Sequence, residues 1–304
     1  MISDHSQLPG PAVATSAVRV RRCPLRALGP TAFTLIELLV VIAIIAVLVA
    51  IAVPALGRAR GLAKQTRELS ASSQLMTAYT LYANDFRGAV MPGYGSVAHG
   101  NAAPVGGTQP LIATDDNGNR LLGQEARRYP WRIAPYLGYN FAGLYDDPKV
   151  LDNYRRREDY LYVVSLSPSL GINADFVGGK GEPGFGFNPM ALRRWGRFYV
   201  SKIEEARRPS DLLVFVSARG VGPDGENVPG FHIVDSPRSN FERWTPGAFD
   251  RSLPAEAYGN VDPRHGGQAV VSYFDGHGGS LKMDDLRDMR RWSDRATAPD
   301  WQLP

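Results

Sequence analysis

The amino-acid sequence predicts an α+β fold, in which a long N-terminal helix packs on an antiparallel β-sheet that carries loop-rich insertions. Residues 33–53 are almost entirely apolar, and apolar residues then recur at helical spacing as far as Phe86. Most of the 32 Gly and 23 Pro follow residue 88, among short β-branched runs, which favours strands and turns over a helical bundle. The predicted segments are 1–32, 33–53, 54–86 and 87–304.

The first segment, residues 1–32, carries most of the excess positive charge. It holds four arginines against one aspartate, whereas the whole chain has a formal net charge of +4. The remainder is nearly neutral, so no nucleic-acid partner is predicted. The single cysteine, Cys23, also lies in this segment, and the rest of the chain can form neither a disulfide nor a thiolate metal site.

Residues 33–53 form an apolar segment with one charged side chain, Glu37. A helix of this length spans about 31 Å, which matches the roughly 30 Å hydrocarbon core of a bilayer. A cleaved export signal usually has a shorter apolar region, of about 7–15 residues. Basic residues both precede and follow the segment, so charge alone orients it weakly. The segment predicts a single transmembrane helix.

Glu37 is costly inside such a helix, by roughly 2.5–3.5 kcal/mol at the membrane centre and less toward an end. A cut between Ala32 and Phe33 would create a positive amine four residues away, which could compensate the carboxylate. The alternative is an acid that extends to the lipid surface without a specific partner.

The sequence around this junction, residues 31–44, resembles the leader junction of type IV prepilins and type II secretion pseudopilins. The resemblance implies cleavage by a prepilin peptidase between Ala32 and Phe33 and N-methylation of Phe33. It also implies that Glu37 is the acid used in assembly and that Pro54 is the helix-distorting proline of the family. The family prefers Gly before the cut, where this chain has Ala32.

The same resemblance implies a function and a location. The chain is expected to be a pseudopilin-like subunit of a type II secretion or type IV pilus-like system. It would lie in the bacterial inner membrane as a single-pass protein, with its C-terminal domain in the periplasm. The implied partners are prepilin peptidase, like pseudopilin subunits, the inner-membrane assembly machinery and membrane lipid.

Residues 54–86 predict an amphipathic helix that continues the membrane segment and ends near residues 84–88. Pro54 and Gly57 are expected to bend or locally melt its start. Glu68 is assigned mainly to the polar face. The predicted stripe packs on the sheet of its own domain, or alternatively contacts another subunit. The stripe consists of Leu62, Leu69, Leu75, Met76, Tyr79, Tyr82, Ala83 and Phe86.

Short patterns follow in the remaining domain. Residues 115–119 predict a hairpin turn, with a calcium loop as the alternative, because their spacing departs from the EF-hand pattern. Residues 129–137 predict an aromatic-rich helix or turn on the core. Residues 160–166 and 212–217 predict strands. Residues 178–186 predict a flexible surface loop, since they lack the ending of a phosphate-binding loop.

His265, followed after nine residues by Asp275-Gly276, is similar to the C-terminal H-X9-DG domain found in many prepilin-like proteins. Residues 269–274 predict a strand and residues 277–283 a returning strand. Asp275-Gly276 predicts a type I′ turn between them, with an Asx bond from Asp275 to the turn amides.

A structural hairpin, with His265 capping a neighbouring backbone group, is the preferred interpretation of this segment. The alternative is that Asp262, His265, Asp275 and His277 converge on zinc or calcium. No cofactor is therefore predicted.

Neither a nucleophile–base–acid set nor a Gly-x-Ser-x-Gly elbow is evident in the sequence, so the chain is not expected to be an enzyme. The alternative function is a membrane-tethered periplasmic binding protein for a glycan, a metal or an exported substrate. Exposed Trp131, Trp195 and Trp244 would anchor its ligand, although burial is the more usual state of tryptophan.

Overall fold

The computed structural model describes residues 34–95, 113–145, 147–180, 193–239 and 242–303. The predicted leader and the Ala32–Phe33 junction lie outside these residues, as do residues 181–186 of the predicted surface loop. The chain divides into two compact units, Met1–Pro54 and Ala55–Pro304.

The long helix α1 runs from Leu35 to Asp85 without interruption, so it ends where the sequence predicted. Pro54 and Gly57 both lie inside it, and the expected local melting is therefore wrong. A proline in a helix interior costs about 3 kcal/mol and a glycine about 1 kcal/mol, and α1 continues through both residues in spite of this cost.

The remaining helices of the described residues are short. They are α2 (Gly123–Arg127), α3 (Tyr129–Ile133), α4 (Pro148–Tyr154), α5 (Tyr160–Leu166) and α6 (Met283–Leu286). Single 3₁₀ turns occur at Ala134–Leu137, Phe141–Leu144, Ile203–Glu205, Ala255–Tyr258 and Met289–Arg291. Residues 129–137 are thus helical, as predicted, and residues 129–134 are buried on the core.

Residues 160–166 form a helix, so the strand predicted there is wrong. Their β-branched and aromatic composition favours a strand, but tertiary contacts override that preference. The indole of Trp131 donates to the Leu161 carbonyl at 2.7 Å, and the Arg128 guanidinium donates to Ser165 Oγ at 3.0 Å. These bonds hold α5 against α2 and α3.

The strands of the described residues form one central sheet and two small hairpins. The strands of the sheet are β1 (Leu170–Asn173), β2 (Leu213–Ser217), β5 (Ile233–Val234), β8 (Gln268–Tyr273) and β9 (Gly278–Lys282). Across the sheet they follow the order β5-β1-β2-β8-β9. The hairpins pair β3 (Arg219–Val221) with β4 (Asn227–Pro229) and β6 (Arg238–Ser239) with β7 (Glu242–Arg243). The strand predicted at 212–217 is confirmed as β2, and the hairpin strands at 269–274 and 277–283 as β8 and β9.

The sheet is mixed, so the predicted antiparallel arrangement is wrong at one pair. β1 and β5 run parallel, whereas the other neighbouring strands are antiparallel. The chain between these two strands is long enough for the crossover that a parallel pair requires.

The sheet separates two apolar cores. Successive residues of a strand point to opposite faces, so Phe215 of β2 joins one core and Val216 the other. The C-terminal half of α1 packs on the Phe215 face, where the Tyr79 ring meets Phe215 edge-on with centroids 5.7 Å apart. The stripe therefore contacts its own domain, as predicted, but begins later, because Leu62 is 64% exposed.

The hairpin loop between β8 and β9 differs from the predicted type I′ turn. That turn needs positive φ at both central residues, but only Gly276 has it, at 95°. The Gly276 amide donates to the Tyr273 carbonyl at 2.9 Å, which closes a turn followed by a glycine bulge. The predicted Asx bond is present: Asp275 Oδ1 accepts from the His277 amide at 3.1 Å.

Replacing Gly276 by alanine is expected to lower the free energy of unfolding by about 1–2 kcal/mol, because a Cβ disfavours positive φ. A Cβ there would have no atom within 4 Å, so the loss of stability would report backbone strain and not a steric clash. Urea unfolding of the full chain in a non-ionic detergent measures it. Gly279→Ala is the matched control, and an equal loss in both variants would contradict the explanation.

Residues 115–119 form the predicted hairpin turn. Asp115 Oδ1 accepts from the amides of Asn117 at 3.0 Å and Asn119 at 2.7 Å, and Thr114 pairs with Arg120 across the turn. This carboxylate therefore organises the backbone of its own loop.

Candidate functional site

The side chains of Thr34 and Glu37 cap the start of α1. The Thr34 amide and hydroxyl each donate to Glu37 Oε2 at 2.8 Å, and the Glu37 amide donates to Thr34 Oγ1 at 3.2 Å. This is a capping box, which satisfies amides that a helix N-terminus leaves free. The Thr-x-x-Glu spacing is the sequence signal for such a box, and the prediction for Glu37 missed it.

The N-terminal part of α1 exposes its apolar side chains. Leu35 is 79% exposed and Ile51 is 68% exposed. Among the described residues, α1 is the one helix long and apolar enough to cross a membrane. An exposed apolar surface of this size requires a lipid or protein environment. The predicted membrane segment is thus an exposed apolar helix, which is consistent with a membrane anchor.

Farther along α1, Glu68 lies at the centre of a buried polar cluster and is only 3% exposed. Its Oε1 accepts from Arg264 Nη2 and from Ser217 Oγ, both at 2.9 Å. Its Oε2 contacts His265 Nε2. The carboxylate therefore joins α1 to the segment that precedes β8 and to the end of β2.

Local turn geometry positions His265 beside Glu68. His265 and Gln268 exchange backbone hydrogen bonds of 3.0 and 3.1 Å, with Gly266 and Gly267 between them at φ 61° and 84°. Positive φ at both central residues is the type I′ pattern. The sequence analysis predicted such a turn at Asp275-Gly276, but it lies at Gly266-Gly267. The turn fixes His265 beside α1 at the start of the hairpin.

A second ion pair, between Arg251 and Asp262, lies next to the cluster. Asp262 is fully buried, and Arg251 donates to its two carboxylate oxygens at 3.0 and 3.3 Å. Arg264 Nη1 lies 3.7 Å from the same carboxylate, so Arg264 stands between Asp262 and Glu68. Alternating charges of this kind keep buried ions compensated.

Burial alone would raise the pKa of Glu68, but the adjacent Arg264 and His265 outweigh it and hold that pKa below its ordinary value. A carboxylate whose pKa is lowered on folding stabilises the fold above its unfolded pKa. The stabilisation is lost as the pH falls through the folded pKa.

Wild-type chain is therefore expected to lose more stability than Glu68→Gln as the pH falls below about 4.5, the ordinary value for glutamate. Urea unfolding of both proteins across this pH range measures the difference. The difference should shrink toward low pH, and a gap that stays constant would contradict the assignment.

The structure corrects two predictions about this segment. His265 contacts a carboxylate with its side chain, not the backbone group that it was predicted to cap. Glu68 faces the core, although it was assigned to the polar side of α1. Glu68 precedes the buried Ser72 and Leu75 by four and seven residues, so the helical period carried a signal that was missed.

The candidate metal ligands are not brought together. His277 Nδ1 lies 2.6 Å from Asp275 Oδ1 at the closed end of the β8–β9 hairpin, whereas His265 lies at its open end. Asp262 is held by Arg251. No cluster of three or more His, Cys, Asp or Glu suited to a metal ion occurs among the described residues.

The proposed tryptophan anchors are largely buried. Trp131 is fully buried and Trp244 is 6% exposed, so neither can present a ring to a ligand. Trp195 is half-buried against the second core. The geometry therefore gives no support to a binding face built on these rings.

Comparison with known proteins finds a match for the N-terminal segment alone. No curated protein matches the chain. No solved structure matches it either. Residues 31–53 match the family model of the prokaryotic N-terminal methylation motif, which implies processing by a prepilin peptidase and assembly with pilin-like subunits.

Proposed function

We propose that the chain is a pseudopilin-like subunit of a type II secretion or type IV pilus-like system, and that it acts by assembly rather than by catalysis. The match of residues 31–53 to the methylation motif carries this proposal. The exposed apolar surface of α1 supports it, because pilin-like subunits assemble through such helices.

In this mechanism, prepilin peptidase cuts between Ala32 and Phe33, and the new amine of Phe33 is methylated. Both bonds that Thr34 donates to the Glu37 carboxylate end on Oε2. The other carboxylate oxygen can therefore accept an ammonium group while the helix cap stays intact. A neighbouring subunit's Phe33 amine is the proposed donor, and inner-membrane machinery would drive assembly.

We place the C-terminal domain in the periplasm, anchored in the bacterial inner membrane by α1. In the H-X9-DG-like segment, we assign His265 a structural role: with Arg264 it clamps Glu68, and so fixes α1 beyond Pro54 to the rest of the domain. The contact between His265 and the Glu68 carboxylate supports this role.

Processing can be tested with Ala32→Arg in the native cell. A large charged side chain at the cut should block the peptidase, so the variant should keep the leader and migrate above the wild-type chain on a denaturing gel. Ala27→Arg, which places the same side chain farther upstream in the leader, is the matched control and should be trimmed normally. Equal size of wild type and Ala32→Arg would contradict the proposal.

A further inference from the structure

A basic groove lies beside α1, in the part of the helix that follows the apolar segment. Arg58, Leu62 and Lys64 line one side, and Arg251 and Pro229 line another. Its volume is about 720 Å³. Gln65 donates to Ser280 Oγ at 2.9 Å, which ties this part of α1 to β9. The groove is thus a built feature of the domain.

The charged side chains that line the groove are basic. Of the described residues that line it, none is acidic. Arg58 and Lys64 are exposed and form no ion pair with any residue that the structure describes. Arg251 is held by buried Asp262, yet 58% of its side chain is exposed. Cations gathered on a concave surface attract an anion.

We propose that this groove binds the phosphate of an anionic phospholipid in the membrane that anchors the chain. The proposal rests on the membrane insertion inferred above. Arg58 follows Val53 by five residues, which limits their separation to about 18 Å at full extension. As a helix, the same five residues rise by about 8 Å, close to the depth of a headgroup layer.

The apolar part of the groove favours a lipid over a free anion. Leu62 is 64% exposed beside Arg58 and Lys64. A soluble phosphate offers nothing for this side chain to contact, whereas a phospholipid offers glycerol and acyl carbon next to its phosphate. Arginine and lysine beside an exposed leucine are typical of chains that lie at a membrane surface.

The test uses the full chain in a neutral detergent with equimolar phosphatidylglycerol and phosphatidylcholine, and native mass spectrometry of the retained lipids. Wild type should retain phosphatidylglycerol preferentially. Arg58→Gln with Lys64→Gln should lower that preference about 25-fold, since each surface cation contributes about fivefold. Arg60→Gln with Arg67→Gln removes the same charge from the same helix outside this groove, and should lower it less than about threefold.

Several outcomes would overturn the proposal. Equal losses in both double variants would indicate general surface charge, and displacement of the lipid by excess inorganic phosphate would indicate a free-anion site. Absence of any preference in wild type would exclude the site. Flotation with pure phosphatidylcholine vesicles tests insertion separately: a chain that floats but shows no preference overturns only this proposal, whereas a chain that does not float overturns the anchor as well.

Discussion

Replacing Glu68 by alanine is expected to lower the free energy of unfolding by about 3–5 kcal/mol, because it removes one partner of the buried Arg264–Glu68 ion pair. Arg264 is 8% exposed in its side chain and would lose its closest carboxylate. The change would also remove the bond from Ser217 Oγ. Urea unfolding of the full chain in detergent, followed by fluorescence of the buried Trp131 and Trp292, measures the loss.

Two further variants keep this prediction testable. Glu204→Ala removes an exposed acid of the same domain and should change stability by less than about 0.5 kcal/mol. If Glu68→Ala does not fold, Glu68→Gln should fold with an intermediate loss, since its amide oxygen can still accept one bond. A loss below about 1 kcal/mol for Glu68→Ala would contradict the clamp.

Replacing Glu37 by valine is expected to abolish assembly while the chain remains inserted and processed. Valine lowers the cost of placing the helix in lipid, so insertion should not suffer. It removes the carboxylate proposed to receive the Phe33 amine of a neighbour. Cross-linking of subunits in the native membrane should show at least a tenfold decrease in adjacent pairs, about the effect of losing one charge-assisted bond.

The matched control is Glu37→Asp, which keeps the charge and should retain part of the assembly. Carbonate extraction reports insertion and gel migration reports processing, so a failure of either step is distinguished from a failure to assemble. Unchanged cross-linking in an inserted, processed Glu37→Val chain would exclude the proposed pairing.

Elements governed by a single local pattern could be predicted from the sequence. Helix α1 and strand β2 follow from periodicity and composition within each segment, and the Asp115 turn follows from its own side chain. Residues 160–166 could not be assigned in this way. They span two helical turns, too short a run for periodicity to separate a helix from a strand.

The candidate site was predicted only in part, because its contacts join distant segments. The motif drew attention to His265, but its partner Glu68 lies 197 positions earlier in the chain. A local pattern cannot pair two such residues. The helical period could have indicated that Glu68 faces inward, and a buried acid requires a cation, yet several arginines would have been equally good candidates.

Cleavage before Phe33, with anchoring by the helix that follows, is the central claim. Mass spectrometry of the chain purified from its native membrane tests it most directly. We predict a polypeptide that begins at Phe33 and carries a methylated amine. A chain that still contains residues upstream of Phe33, in cells whose prepilin peptidase is active, would contradict it.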